Sequence, residues 1–210
     1  MHSRASAHGG AVHRVRAGGR LRGPSKPRRP GPDLPGRTMT VEGIQLRHLV
    51  ASDEALYVGL YGSPATMRHI GPPLPRLEAC RSFRAAVRAN AASPPSARFW
   101  VIEHQKGQQA LGLIGLRWIS HTTAELGVVL PEENQAKGIA KAAIRALLTP
   151  AFTELGLAEL RTQHSKPNAL AWRLMDSLGF TETGTSPVGQ GFAWMMTADQ
   201  WRLSSAGQQI

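Results

Sequence analysis

Residues 39–210 predict a single α/β domain: a mixed, mainly antiparallel sheet of about six to seven strands flanked by helices. Three observations carry this. RFWVIEH, ALGLIGLRWIS and TAELGVVL follow one another with short polar turns between them, the pattern of consecutive antiparallel strands. Helix-forming segments with apolar residues near a 3.6 period stand before and after that block. A strand-loop-helix unit, ELGVVL-PEENQAK-GIAKAAIRALL, then places one glycine between two lysines where a helix begins.

In chain order, IQLRH at 44–48 alternates apolar and polar residues and predicts a strand. Ser52 is positioned to cap a helix running to about Tyr61, with Asp53 and Glu54 in its first turn. SPATMRHIGPP predicts a short helical turn stopped by Gly71 and two prolines. From Pro75 to Ala92 the residues are helix formers, with Leu77, Cys80 or Arg81, Phe83 or Arg84 and Val87 on the periodic face, and SPPS ends the helix. After the three strands, the helix at Gly138 should run to Leu148 and break or kink at Pro150, which lacks a backbone donor. AELRTQH predicts a strand; Asn168 to Leu178 predicts a helix capped by Asn168 and ended by Gly179. FTETG and FAWMM, joined by a glycine-rich loop, predict a closing hairpin. The 210 residues show no internal repeat.

The charge is unevenly placed. Before Met39 stand nine Lys or Arg and one acid, Asp33, so this segment holds +8 of the formal +11. It has almost no apolar residues, cannot bury enough surface to offset its ordering entropy, and reads as disordered. Three explanations compete: a basic arm for nucleic acid, an organelle transit segment, or upstream sequence attached by a start codon assigned too early. The prolines between Pro24 and Pro35 work against an amphipathic transit helix. The position of Met39, directly before the first periodic segment, favours the third. The expected division is therefore 1–38, a dispensable extension, and 39–210, the working domain. Nucleic acid is expected as a partner only through the extension.

No apolar run approaches the roughly 18 residues of a membrane span, and no signal-peptide core is present, so a soluble, cytoplasmic protein is expected. A single cysteine, Cys80, excludes an internal disulfide and fits a reducing compartment. Without a second cysteine or paired histidines at ligand spacing, no metal site is expected. The monomer and the homodimer both remain open.

The unit around Gly138 can in principle hold an anion. The first turn of a helix has unpaired N–H groups and a partial positive charge, and glycine lets an anion approach the backbone. Lys137 and Lys141 add mobile charge. An ordinary strand-to-helix loop with solvated lysines has the same composition. GxxxxGK[ST] is absent, as is GxGxxG opening a helix after a strand, which disfavours a nucleoside triphosphatase or a dinucleotide dehydrogenase.

Q-A-K-G-I-A at 135–140 resembles the Q/R-x-x-G-x-G/A signature of the GNAT superfamily of acetyl-CoA-dependent N-acetyltransferases. About thirty residues on, N-A-L-A-W-R-L-M-D-S-L-G-F at 168–180 resembles that superfamily's next motif, N-x-x-A/S-x-x-x-x-x-x-x-G-F. M-R-H-I-G at 67–71 and T-A-D-Q-W at 197–201 resemble the branch of ribosomal-protein N-terminal (RimJ/RimL-like) acetyltransferases. The resemblance covers Met39 to about Arg202 and implies a GNAT fold with acetyl-CoA, as co-substrate, between the strands at 124–130 and 159–164. It implies a pyrophosphate on the N–H groups of Gln135, Ala136, Lys137, Gly138, Ile139, Ala140 and Lys141. It implies a pantetheine arm along the backbone of Val128, Val129 and Leu130, flanked by Asn168 and Ala171. The implied activity is acetyl transfer to a primary amine, a protein α-amine first and a small-molecule amine second. A regulatory module that binds acetyl-CoA without turning it over is the other alternative.

The chemistry needs a neutral amine and a place for its proton. An α-amine titrates near 8, against about 10.4 for lysine, so a protein N-terminus is already partly neutral. By the resemblance, Glu125 lies beside the thioester and is the candidate base; a solvent-facing strand glutamate is the alternative. Many family members carry a tyrosine seven residues after the motif asparagine to protonate the leaving thiolate. Met175 stands there, and a thioether donates no proton. His164 and Ser165 are the nearest donors in sequence. A coenzyme thiol, with a pKa of about 8.5 by analogy with cysteine, can also leave with water's help.

Overall fold

The computed structural model describes residues 38–41, 43–106, 109–186 and 191–206. The expected extension therefore lies, except for Thr38, outside the described residues, as do parts of the 105–108 turn and of the glycine-rich loop of the last hairpin.

The three central strands form where the apolar segments and the turns between them predict them: β3 (Ala97–His104), β4 (Ala110–Trp118) and β5 (Thr123–Val129), each antiparallel to the next. On the outer side of β3 lie β2 (Ile44–His48) and then β1 (Met39–Val41). Among the described residues β1 takes the count to eight rather than six or seven; three residues are too few to show a period. On the other side β6 (Glu159–Ser165) runs parallel to β5, which demands a long crossover, and α4 (Ile139–Thr153) supplies it. β8 (Gly191–Thr197) pairs with β6 and β7 (Thr181–Thr185) with β8, both antiparallel. The order is β1-β2-β3-β4-β5-β6-β8-β7.

Each sheet face has its own core. α1 (Glu54–Gly62), α2 (Pro64–Met67) and α3 (Arg76–Ala91) set Tyr57, Tyr61, Met67 and Phe83 against Phe99, Val101, Leu113 and Val129. α4 sets Ile144, Leu147 and Phe152 against Leu46, Trp100, Ile114, Leu116 and Leu126. α5 (Ala169–Ser177) extends that second core through Met175, and α6 (Ala198–Ala206), which the pattern reading does not contain, adds Trp201 against Phe152. Each fully buried large side chain contributes about 1.5–3 kcal/mol, so the layered cores fix the strands on which the site is built.

Three local expectations are corrected. Ser52 is not the helix cap: Ala51–Asp53 form a 3-10 turn, and the Asp53 carboxylate instead accepts the Val50 N–H at 2.8 Å. The buried face of α3 is Ala79, Phe83, Ala86 and Ala89, whereas Leu77 is 64% exposed, because small alanines let the helix backbone lie close to its neighbours. Pro150 does not end α4. Only the bond to Ala146 is lost there, Glu154 and Leu155 both donate to the Pro150 carbonyl, and burial of Ala151 and Phe152 offsets the cost.

A buried polar cluster ties β2 to the turn before α1. Arg47 donates to both Asp53 oxygens, at 2.8 and 2.7 Å, and to Glu103 at 2.6 Å. Burial pushes the Asp53 carboxyl up, but the Arg47 hydrogen bonds, the Val50 N–H and the Arg47 charge together hold it below its ordinary value.

Candidate active site

β5 and β6 are paired over three positions only: Thr123 with Glu159, Ala124 with Leu160, and Glu125 with Arg161. Beyond Glu125 the strands part and a cleft of about 710 Å³ opens between them. Leu126, Gly127, Val128 and Leu130 form one wall, and 162–165 form the other. The start of α4, the body of α5, and Thr66 and Arg68–Ile70, from α2 and the segment after it, complete the lining.

At the start of α4, Gly138 has φ 78° and Ala136 has φ 57°. Two left-handed residues so close turn successive N–H groups to one side, a concavity suited to an anion. The first intrahelical bond runs from the Ala142 N–H to the Gly138 carbonyl, 3.0 Å, so the N–H groups of Ile139, Ala140 and Lys141 are those that a helix leaves unpaired. A Cβ at Gly138 would meet nothing within 4 Å. The glycine therefore serves its positive φ and the open space beside it, not a crowded neighbour. Gln135 departs from expectation: its N–H donates to the Glu132 carbonyl at 3.1 Å and its Nε2 to the Leu130 carbonyl at 3.0 Å, which braces the loop instead of facing an anion. Gln135, Ala136, Gly138, Ile139, Ala140 and Lys141 line the cleft, and Lys137 is exposed outside it.

Val128 and Leu130 line the cleft, while the Val129 side chain is buried in the opposite core. Asn168 caps α5 by accepting the Ala171 N–H at 3.1 Å, and both residues line the far wall with Met175. The strand edge, the helix start and the α5 wall together fit an extended thioester carrying a diphosphate.

The proposed base sits one side chain behind that wall. Glu125 is 7% exposed; Arg117, opposite it on β4, donates to Oε2, and Gln163 Nε2 donates to Oε1 at 2.9 Å. Gln163 in turn accepts the Ser186 hydroxyl through Oε1. Gln163 and Ser186 line the cleft, and Glu125 does not. Sequence reading found the glutamate and missed Arg117, Gln163 and Ser186. The cross-strand register of β4, β5 and β6 brings the first two to it; no local motif marks them.

The two proposed proton donors are otherwise engaged. His164 Nε2 accepts the Trp194 indole N–H at 3.0 Å, which leaves the ring proton on Nδ1, 3.0 Å from the Ser165 carbonyl. The Ser165 hydroxyl donates to the His69 carbonyl at 3.1 Å and so pins the segment after α2 to the end of β6. Among the described residues no group of three or more His, Cys, Asp or Glu side chains could hold a metal.

Residues 44–181 match the family model described as the acetyltransferase (GNAT) domain. The fold is similar to that of spermidine N-acetyltransferase from Vibrio cholerae in complex with CoA and spermine, at 21% identity and TM-score 0.65, covering 76% of this chain and 98% of that one. It is similar to RimL, the ribosomal L7/L12 α-N-protein acetyltransferase in complex with coenzyme A, at 15% identity and TM-score 0.68, covering 78% and 99%. A GNAT-family acetyltransferase from Bacillus anthracis has 16% identity and TM-score 0.63, covering 78% and 99%. No curated protein sequence matches the chain. The family match spans well over half the chain and carries both motifs that frame the cleft, so this chain belongs to the GNAT acetyltransferases, with acetyl-CoA as its acyl donor.

Proposed function

We propose that the chain transfers the acetyl group to the α-amino group of a protein or peptide. The observation that carries the choice of acceptor is the charge of the cleft. Among its described lining residues there is no aspartate or glutamate; of its cations, Lys141 stands at the diphosphate end and Arg68 pairs with Glu132 at 3.6 Å. A polyamine bears several cationic amines and needs carboxylates to hold them; a peptide N-terminus bears one, already partly neutral at pH 7. The structural neighbours named above include both acceptor types, and the motifs at 67–71 and 197–201 favour the ribosomal-protein branch. A small-molecule amine of low charge is the second reading.

Acetyl-CoA supplies the activated acyl carbon. In this reading the N–H groups of Ile139, Ala140 and Lys141 hold its pyrophosphate, and the open edge of β5 at Val128–Leu130 lies along its pantetheine arm opposite Asn168 and Ala171. The amine nitrogen attacks the carbonyl, the C–N bond forms and the C–S bond breaks. The amine proton leaves through water, with Glu125 as its final acceptor behind Gln163, and the thiolate leaves without a dedicated acid, Met175 standing in the tyrosine position. The working domain is 39–210 and acts in the cytoplasm; no helix among the described residues is long and apolar enough to cross a membrane.

The test is an acceptor screen by coenzyme A release, with N-terminal peptides, spermidine and lysine-bearing peptides in parallel. Turnover on free N-termini well above that on spermidine supports the assignment. A preference for spermidine refutes the acceptor class, and no turnover on any amine refutes catalysis in favour of a binding module.

A further inference from the structure

We infer that Gln163 is the residue on which the acceptor amine docks, its Oε1 receiving an amine N–H at the point where β5 and β6 part. The inference rests on the acetyl-transfer reading and specifies its acceptor subsite. Gln163 lies on β6 two residues beyond Arg161, the last position paired to β5, so its side chain stands at the vertex of the cleft. Its amide cannot turn freely. An ionised carboxylate only accepts hydrogen bonds, so the NH₂ end must face Glu125, at 2.9 Å, and the carbonyl end is left for Ser186 and the cleft. Arg117 fixes the other oxygen of Glu125, so the chain Arg117, Glu125, Gln163, Ser186 holds one amide orientation from both ends.

A carbonyl oxygen has two lone pairs, and the Ser186 hydroxyl takes one of those on Oε1. The second suits an amine N–H, which turns the nitrogen lone pair away from Gln163 into the cleft where the acyl carbon must lie. Glu125 then has two separate duties: it orients Gln163, and, because the amide stands between it and the nitrogen, it collects the amine proton by way of water. The site recognises an uncharged primary amine by one accepted hydrogen bond, with no carboxylate among the described residues that line the cleft to attract a polycation.

Gln163→Ala should raise KM for the acceptor at least tenfold, lower kcat by less than that, and leave the acetyl-CoA Kd unchanged, with a melting temperature a few degrees lower for the hydrogen bond that Glu125 loses. Ser186→Ala should raise the same KM by a few-fold in the parent and add nothing in the Gln163→Ala background, because Ser186 acts by holding Gln163. Binding supplies a readout independent of turnover. By calorimetry with coenzyme A present, a short peptide with a free α-amine should bind the parent at least tenfold more tightly than Gln163→Ala, and its N-acetylated form should bind both equally weakly. Equal affinity of the free-amine peptide for both proteins, its failure to bind the parent, or fully additive Ser186 and Gln163 effects on KM would overturn the docking role. A parent that binds the peptide through Gln163 yet never turns over would instead remove the catalytic reading and leave this one standing.

Discussion

Along β5, Ala124 and Glu125 are paired on both edges, to β4 and to β6, whereas Leu126 to Val129 keep only β4. The first stretch behaves as an interior strand; the second exposes an edge in the middle of an eight-stranded sheet. Unpaired backbone of this kind is normally covered, because each buried N–H or C=O without a partner costs free energy. Here the register to β4 continues to Val129, and Val129 and Leu126 are anchored in opposite cores, so the strand stays in place on one edge while the other is left for a ligand. Stability and binding thus occupy different edges of the same seven residues. Disturbing the ligand side should change function with little change in folding, and disturbing the fully paired side should do the reverse.

The largest effect is expected at the boundary. Glu125→Gln should lower turnover about 10² to 10⁴-fold with acetyl-CoA affinity nearly unchanged, since shape is kept and the proton acceptor is lost. With an α-amine acceptor the deficit should shrink as pH rises past about 8, where solvent supplies the neutral nucleophile; with a lysine side chain it should persist to about pH 10. Paired pH-rate profiles on one acceptor decide this. Full activity of Glu125→Gln at pH 7 would remove the base role, and an unchanged acceptor KM in the same variant would remove its role in orienting Gln163 as well.

Next comes the polar cluster far from the cleft. Asp53→Asn leaves Arg47 without its bidentate partner but still paired to Glu103, and should cost about 1.5–3 kcal/mol at pH 7, with turnover per folded molecule unaffected. The folded-state pKa of Asp53 is depressed, so its contribution is fully present above the unfolded value near 3.9 and is lost as pH falls through the folded value. Denaturant titrations of the two proteins should therefore converge in strong acid. A gap of constant size from pH 7 down to pH 2 would show that packing, not ionisation, is what Asp53 supplies.

A smaller effect is expected at Gly138. Gly138→Val should weaken acetyl-CoA binding at least tenfold, about 1.4 kcal/mol, by placing a side chain in the space beside the N–H groups of α4. Gly138→Asn tolerates the positive φ better and so separates backbone strain from intrusion. If calorimetry finds affinity lost in Val and kept in Asn, the requirement is conformational; loss in both places the anion against the glycine.

How much of this could be read from the residues differs between the two edges of β5. The loop and helix at 131–148, the Asn168 cap and the apolar strand segments between polar turns are local patterns, in which spacing along the chain is distance in space. For the separation of β5 from β6 the sequence offers only the family resemblance, which implies acetyl-CoA between the two strands, because no residue in either strand signals where pairing stops. Gln163 and Ser186 lie 38 residues from Glu125 and 23 residues from Gln163 respectively, and only the sheet register joins them. Pro150 and the alanine face of α3 misled for a related reason: propensity is local, and burial against a distant strand outweighed it.

The smallest expected effect lies in the paired half, at Trp100 on β3. This side chain is fully buried, and its indole Nε1 is the one buried side-chain nitrogen or oxygen among the described residues without a hydrogen-bond partner. An unmet donor of this kind costs about 1–3 kcal/mol. Trp100→Phe removes it together with part of the ring, so the packing loss and the relieved donor act in opposite directions and the net change should stay below about 1.5 kcal/mol. Trp100→Ala has no such offset and should lose about 3–5 kcal/mol. Urea titration of the three proteins gives the comparison, and acetyl-CoA affinity should be equal in the parent and Trp100→Phe, because Trp100 does not line the cleft. A Phe variant as unstable as the Ala variant would mean that the indole N–H has a partner, and that β3 carries a polar contact as well as the apolar packing assigned to it.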